Sequence, residues 1–275
     1  MVQKFRNTLN DLDAKSWVRA TKSWFVINPK SRSKVQMQHP AKFPEELVKH
    51  FLEFFTKEGS WVLDPFAGVG STGVACKEIG RNSVGIELHD EFVEVGDRTI
   101  SETEGESTSI LLKGDSRRAV DIIYEHFNGD PPQFDFAVTS PPYWNMLRKS
   151  RGGNASVHKE RAEKGLKQYY GDSKKDLGNL DGYEEYIDTM GVIIGGLKPL
   201  LSEKAYLTII VQNMRDVDGT LRPIAWDLAR RFSQDFELRQ EMIWCQDNKK
   251  LGCWGYPTTY VSNCHHHYCL ILQNS

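Results

Sequence analysis

The feature that most constrains the fold of this chain is a regular alternation of short apolar runs and helix-patterned segments from residue 44 onward. Seven apolar runs predict buried strands, at residues 61–63, 84–87, 110–113, 134–138, 205–211, 236–244 and 268–272. Helical patterns precede or separate most of them, at residues 44–55, 72–79, 90–100, 117–127, 183–201 and 223–232. This alternation is typical of an α/β fold with a mostly parallel sheet and helices on both faces. No helical pattern separates the last two runs, which predicts one antiparallel strand at an edge.

Length and composition predict a single domain over residues 1–275. The chain is 39% apolar and 26% charged, which suits a globular core and neither a disordered nor a membrane protein. Residues 1–38 are polar with scattered aromatics and predict an irregular arm packed on the core. The first residues lack the apolar stretch of a signal peptide, and the cysteine count of 5 is odd. We therefore expect a cytoplasmic protein with reduced thiols and no membrane contact.

The turn after the first predicted strand has the features of a ligand-binding loop. Gly68 and Gly70 permit positive φ angles and close backbone approach, and the following helix presents free N–H groups at its start. Three acidic residues, Asp64, Glu87 and Asp115, end the first three strands. Ligands of α/β folds bind at this edge, so Glu87 is expected to accept ribose hydroxyls and Asp115 an adenine amino group. A nicotinamide cofactor is disfavoured because the loop is not G-x-G-x-x-G.

A second motif follows the fourth predicted strand directly. Its sequence is Thr139-Ser-Pro-Pro-Tyr-Trp144. Two consecutive prolines force an extended backbone, so the Ser140 hydroxyl and the Pro141 carbonyl can be aimed at one point. Both groups accept hydrogen bonds, and two acceptors suit an amine that donates two N–H bonds. Tyr143 and Trp144 add flat faces on which a base taken out of a duplex could stack. A rigid proline turn with aromatic packing is the alternative.

Three motifs together resemble the DNA amino-methyltransferase family, which makes N4-methylcytosine and N6-methyladenine. They are H-P-A-K-F-P at 39–44, D-P-F-A-G-V-G-S-T at 64–72 and T-S-P-P-Y-W at 139–144. The resemblance extends from about His39 to the end of the chain. It implies a Rossmann-like seven-stranded sheet in a single methyltransferase domain. The cofactor half here precedes the catalytic half, whereas many members with this catalytic motif have the opposite order.

The resemblance also implies a cofactor, a substrate and partners. The cofactor is S-adenosyl-L-methionine, and the residues expected to bind it are His39, Pro40, Phe43, Asp64, Pro65, Phe66, Gly68, Gly70, Ser71, Thr72, Glu87, Leu88, Asp115 and Ser116. The expected catalytic residues are Ser140, Pro141, Pro142 and Tyr143. The substrate is double-stranded DNA, and a restriction endonuclease or a specificity subunit is a candidate partner.

Ser140 favours one target base. Serine at this position is similar to the N4-cytosine members, while N6-adenine members more often carry Asp or Asn. Methylation of adenine N6 or of an amino group in RNA, and a non-catalytic nucleic-acid-binding subunit, are the alternatives.

Two further segments are candidates for DNA contact. Residues 145–181 predict an inserted basic loop, because residues 148–176 hold nine Lys or Arg against four acids in a chain of net charge −2. Its first cations are Arg148, Lys149 and Arg151, and a solvated loop is the alternative. Trp254 and Tyr256 lie in an aromatic segment before the last strand. The cysteines and histidines at 253–269 lack a C-x₂-C pair, so no metal site is predicted.

Overall fold

The computed structural model describes residues 7–29, 43–144, 176–216, 219–249, 251–253 and 255–275. Its main sheet has eight strands, and two further short strands form a hairpin. The sheet strands are β1 (Trp24–Val26), β2 (Trp61–Asp64), β3 (Asn82–Glu87), β4 (Ser109–Lys113), β5 (Phe134–Thr139), β6 (Leu201–Val211), β9 (Glu237–Cys245) and β10 (His266–Gln273). The hairpin pairs β7 (Met214–Arg215) with β8 (Leu221–Arg222).

The predicted α/β fold with a mostly parallel sheet is confirmed, with two corrections. The strand order is β1-β9-β10-β6-β5-β2-β3-β4, so the sheet has eight strands where seven were predicted. The antiparallel strand β10 pairs with β6 on one side and β9 on the other, and is therefore not at an edge. Burial explains this position. Residues from Cys269 to Leu272 are buried on both faces of the sheet, whereas the first residues of β9 are exposed.

Helices cover both faces of the sheet, as predicted. They are α1 (Ala14–Ala20), α2 (Glu45–Phe55), α3 (Ser71–Glu78), α4 (Asp90–Glu102), α5 (Ala119–His126), α6 (Tyr183–Gly196) and α7 (Ile224–Phe232). Neighbouring residues of β2 point to opposite faces, as strand geometry requires. Leu63 belongs to the core cluster that contains buried residues of α5, α6 and α7, and Val62 belongs to the cluster that contains buried residues of α2 and α3. None of the helices in the described part of the chain is long and apolar enough to cross a bilayer.

The N-terminal arm packs on the core, but the prediction that it is irregular was wrong. It contains α1 and β1, and β1 pairs in parallel with β9 as an outer strand of the sheet. The arm is tied down by Asn10, whose Nδ2 donates to the Phe54 carbonyl at 2.6 Å. The Trp17 ring also lies 5.0 Å from that of Phe54. These two elements are difficult to predict from the sequence, because β1 has only three residues and α1 has no buried residue that would produce an apolar helical pattern.

Candidate functional site

One cavity lies at the carboxyl ends of the parallel strands, with about 720 Å³ of empty space including its open mouth. Its walls come from the loops after β2, β3, β4 and β5 and from two separate segments. The lining residues are Phe43, Phe66, Ala67, Gly68, Val69, Ser71, Ile86, Glu87, Leu88, His89, Asp115, Ser116, Ser140, Pro142, Asp176 and Leu177. The structure therefore brings the predicted cofactor loop and the predicted reaction centre into a single cavity.

Glu87 ends β3 and organises the floor of this cavity. Its Oε2 accepts from the Gly68 amide at 3.1 Å, and its Oε1 accepts from the His89 amide at 2.8 Å. The side chain is 8% exposed, and burial raises the pKa of Glu87 to about 7. Each carboxylate oxygen can still accept a second hydrogen bond. Glu87 therefore both holds the glycine loop in place and presents acceptors to a ligand.

The glycine loop needs its glycines for conformational and steric reasons. Gly70 precedes α3 with φ +78°, a value that side-chain-bearing residues rarely adopt. A Cβ at this position would also lie 3.0 Å from the Ile100 side chain and 3.3 Å from the Gly96 backbone. Gly68 has φ +54° and lines the cavity. Ser71, the first residue of α3, donates to the Phe43 carbonyl at 3.2 Å, so Phe43 is held at the cavity wall.

Asp64 lies behind the cavity wall, not in it. It is fully buried, and its Oδ2 accepts from Thr72 Oγ1 at 2.5 Å. Its Oδ1 accepts from Thr139 Oγ1 at 2.7 Å and from the Phe66 amide at 3.0 Å. Burial raises the pKa of Asp64 to about 6, although these three hydrogen bonds oppose the shift. The structure thus gives Asp64 a positioning role between the cofactor loop and the end of β5.

The predicted reaction centre at 139–144 is held in place by α6. Ser140 and Pro142 line the cavity, and the hydroxyl of the fully buried Tyr186 donates to the Pro142 carbonyl at 3.0 Å. Tyr143 hydrogen-bonds to the Ser140 side chain, and burial raises the pKa of Tyr143 well above its ordinary value. Pro141 is buried and is not in the cavity lining. The motif is therefore held rigidly, with Ser140 at the cavity surface.

Trp144 differs from its prediction. It is 4% exposed, and its ring packs 5.2 Å from that of Tyr183. The Arg222 guanidinium lies 5.8 Å from the centre of the Trp144 ring. A ring packed on the core in this way offers no open face for a base. The interpretation of Trp144 as a stacking platform was therefore wrong, since the apolar packing of α6 takes up its surface.

The other predicted residues lie around the cavity or outside the described chain. Pro65, Gly70, Thr72 and Tyr143 support the lining residues and are not part of the lining; the Pro65 carbonyl, for example, accepts from Ser116 Oγ. Tyr256 is 82% exposed, in the loop between β9 and β10. The predicted residues outside the described chain are His39, Pro40, Arg148, Lys149, Arg151 and Trp254.

Two ionisable residues of the cavity lining were not predicted, and the apolar lining residues Ala67, Val69, Ile86 and Leu177 were not predicted either. His89 lies directly before α4, and Asp176 lies directly before a short 3₁₀ turn, Leu177–Asn179. The His89 position carried a signal that was available, because it follows Glu87 by two residues at the ligand-binding edge. Asp176 carried none, since it ends a long polar segment without periodicity.

The cysteine and histidine cluster before and within β10 shows no metal geometry. Cys253 and Cys264 are exposed free thiols. The His267 ring stacks on that of Trp244 at 4.5 Å, and burial lowers the pKa of His267 to about 3. Among the residues with described positions, no group of three or more His, Cys, Asp or Glu could hold a metal ion.

Residues 3–98 match the family model N6_N4_Mtase, described as DNA methylase. The chain is 41% identical over 73 residues to the type II methyltransferase M.Cfr9I of Citrobacter freundii. The aligned stretch covers 26% of this chain and 23% of that protein. It is 39% identical over 70 residues to M2.DpnII of Streptococcus pneumoniae, covering 26% of each. It is 35% identical over 80 residues to the DNA adenine methyltransferase YhdJ of Escherichia coli (strain K12), covering 29% of this chain and 27% of that protein.

These matched stretches span only about a quarter of the relatives' lengths. The family match includes the cofactor loop at 64–72 and ends before the motif at 139–144. Residues 3–98 are therefore similar to this family, which supports the resemblance that the motifs at 39–44 and 64–72 indicate.

Proposed function

We propose that this chain is an S-adenosylmethionine-dependent methyltransferase that modifies the exocyclic amino group of a base in double-stranded DNA. The observation that carries the proposal is the single cavity shared by Glu87, Gly68 and Ser140. A methyl donor and an amine acceptor must meet at one point for transfer to occur. A cavity that joins a nucleoside-binding loop to the Ser140 hydroxyl supports that arrangement.

The chemistry of the cavity fits this cofactor. Glu87 and Asp115 offer carboxylate acceptors for ribose hydroxyls and an adenine amino group, and Phe66, Ile86 and Leu88 offer apolar walls for the rings. When bound, the cofactor supplies a methyl group already activated on a sulfonium. The protein therefore has to bind, orient and exclude water, without activating the methyl group itself.

In this reaction the protein has to make the exocyclic amine of the base more nucleophilic. The lone pair of an exocyclic amino group is delocalised into the base ring, which makes the nitrogen a poor nucleophile. The Ser140 hydroxyl and the Pro141 carbonyl, as the two acceptors, would hold its two N–H groups out of the ring plane and free the lone pair. The Tyr186 hydrogen bond to the Pro142 carbonyl keeps this backbone rigid. Such preorganisation lowers the barrier because the acceptors need no rearrangement during transfer.

The base is proposed to be cytosine, methylated at N4. The support is Ser140, which resembles the first motif residue of the N4-cytosine members. Adenine N6 is the second candidate, favoured by the similarity to a relative named as a DNA adenine methyltransferase. Both products come from the same chemistry at the same cavity, so only the methylated nucleoside distinguishes them.

The names of the relatives support two further parts of the proposal, that the substrate is DNA and that a restriction endonuclease is a partner. M.Cfr9I and M2.DpnII are both named type II methyltransferases. The positive charge of residues 148–176 supports a phosphate contact close in sequence to the motif at 139–144. A cognate endonuclease that recognises the same site is the partner that these names suggest.

Transfer of labelled methyl groups tests the proposal. The full chain is incubated with labelled S-adenosylmethionine and, in parallel, with duplex DNA or with RNA. We expect label in DNA with the wild-type chain and a rate of labelling about 10²–10³-fold lower with Ser140→Ala. Label in RNA alone would overturn the substrate assignment. Cofactor binding without transfer to either nucleic acid would favour the non-catalytic alternative.

A further inference from the structure

Asp176 is a buried carboxylate, and one of its oxygens accepts no hydrogen bond from the described residues. Its side chain is 5% exposed and lines the cavity. Its Oδ1 accepts from the Gly178 amide at 2.9 Å. Its Oδ2 has no hydrogen-bond partner among the residues described in the structure. Burying a carboxylate oxygen without a hydrogen bond is energetically unfavourable. A ligand bound in the cavity could donate the missing hydrogen bond to this oxygen.

The neighbours of Asp176 place it beside Glu87. The His89 Nε2 atom lies 3.7 Å from Asp176 Oδ2, an ion-pair distance too long for a hydrogen bond. His89 is tied in turn to Glu87, whose Oε1 accepts from the His89 amide. The Asp176 carboxylate raises the pKa of His89, with a further contribution from Glu87. Asp176, His89 and Glu87 therefore form one polar group at the same part of the cavity wall.

The two carboxylates, Glu87 and Asp176, differ in how many hydrogen bonds their oxygens already accept. Both Glu87 oxygens already accept backbone amides, from Gly68 and His89. Asp176 Oδ2 accepts nothing from the described residues. A ribose diol brings two hydroxyl donors, and a second carboxylate beside Glu87 allows each hydroxyl to have its own acceptor. The unused oxygen of Asp176 matches the second hydroxyl.

We propose that Asp176 is a further cofactor-binding residue, whose Oδ2 accepts a hydrogen bond from a ribose hydroxyl of the bound cofactor while Glu87 accepts from the other. This inference rests on the proposed function, because it takes an adenosine-containing cofactor as the ligand. It assigns a binding role to a residue far in sequence from the glycine loop and from the strand ends.

Calorimetry with S-adenosylhomocysteine tests the inference on the full chain. The variant is Asp176→Asn, which keeps an acceptor for the Gly178 amide and replaces Oδ2 by a donor. The matched control is Asp181→Asn, an exposed acid on the same segment. We expect Asp176→Asn to weaken binding about tenfold or more, the loss typical of a hydrogen bond to a charged group, and Asp181→Asn to leave it unchanged. Far-ultraviolet circular dichroism and the thermal midpoint establish that both variants fold.

Ligands that lack one hydroxyl separate direct contact from an indirect effect. The 2′-deoxy and 3′-deoxy forms of S-adenosylhomocysteine are titrated into both proteins. With one of the two, the wild-type chain and Asp176→Asn should bind equally, because the contact is already missing. An equal loss with all three ligands, or no loss with any, would overturn the inference. If the wild-type chain bound none of the three ligands, the proposed function itself would fail, and the inference with it.

Discussion

Thr139, the residue directly before Ser140, donates its hydroxyl to Asp64 at 2.7 Å. The other oxygen of Asp64 accepts from Thr72 in the first turn of α3. A single fully buried carboxylate therefore connects the helix that follows the glycine loop to the end of β5, directly before the predicted catalytic motif. Asp64 therefore links the glycine loop at 64–72 to the motif at 139–144, the two halves of the cavity wall.

Removal of this link should destabilise the fold. Asp64→Ala leaves the hydroxyls of Thr72 and Thr139 and the Phe66 amide without their acceptor, so we expect a loss of about 3 kcal/mol in the free energy of unfolding. Thr139→Val removes one of these bonds and should cost about 1 kcal/mol. Denaturant unfolding followed by circular dichroism measures both. A loss for Asp64→Ala no larger than that for Thr139→Val would show that Asp64 does not join the two halves.

Glu87 should make cofactor binding depend on pH. Burial raises the pKa of Glu87 to about 7, and the ionised form is the better acceptor for hydroxyls. Protonation as the pH falls below about 7 removes that form, so the Kd for S-adenosylhomocysteine should rise between pH 8 and pH 6. Calorimetry at several pH values measures the slope.

The variant Glu87→Gln identifies the titrating group. It should bind more weakly and lose most of the pH dependence, because glutamine does not ionise. His89 also titrates beside Glu87, and its pKa is raised by Asp176. A slope that survives in Glu87→Gln but disappears in His89→Gln would assign the effect to His89.

Ser140 should matter for turnover more than for cofactor affinity. It lines the cavity as one of the two proposed amine acceptors, so Ser140→Ala should lower kcat by about 10²–10³-fold, as for other oriented hydrogen-bonding groups. The Kd for S-adenosylhomocysteine should stay unchanged. Ser116→Ala, in the same cavity but after β4, is the matched control and should alter the Kd more than kcat. The reverse pattern would place the chemistry away from Ser140.

The basic segment should contribute to DNA affinity through its charge. The triple variant Arg148→Glu, Lys149→Glu, Arg151→Glu reverses three of the nine cations between residues 148 and 176. If these side chains contact phosphates, the slope of log K against log salt should fall in magnitude by about 3. The control reverses Lys204 and Arg239, exposed residues near the starts of β6 and β9 at the opposite end of the sheet. An unchanged slope in the triple variant would leave the segment as a solvated loop.

The placement of the cavity could be predicted from the sequence because of sheet geometry. Carboxyl ends of parallel strands meet at one edge, so Glu87, Asp115 and Ser140 had to lie near each other once the strands were recognised. Asp64 ends a strand at the same edge but is turned inward. The sequence pattern does not reveal that Thr72 and Thr139 supply its hydrogen bonds from within the core.

Other features depend on tertiary contacts that no local pattern carries. The outer strand β1 has three residues and gains its order from pairing with β9. Asp176 lies in the cavity wall at the end of a polar segment. The proposed binding role of Asp176 follows from its position beside His89, which the sequence does not indicate. The position of β10 inside the sheet likewise follows from burial on both faces, which a hairpin-like connection in sequence does not indicate.

The most direct test of the account is the identity of the methylated nucleoside. Duplex DNA of mixed sequence is incubated with the wild-type chain and S-adenosylmethionine, digested to nucleosides and resolved by liquid chromatography with mass spectrometry. We expect N4-methyldeoxycytidine with the wild-type chain and about 10²–10³-fold slower formation of it with Ser140→Ala. N6-methyldeoxyadenosine in its place would contradict the assignment of cytosine while keeping the amine chemistry. A 5-methyldeoxycytidine product, or no methylated nucleoside at all, would contradict the central claim that this cavity transfers methyl groups to an exocyclic amine.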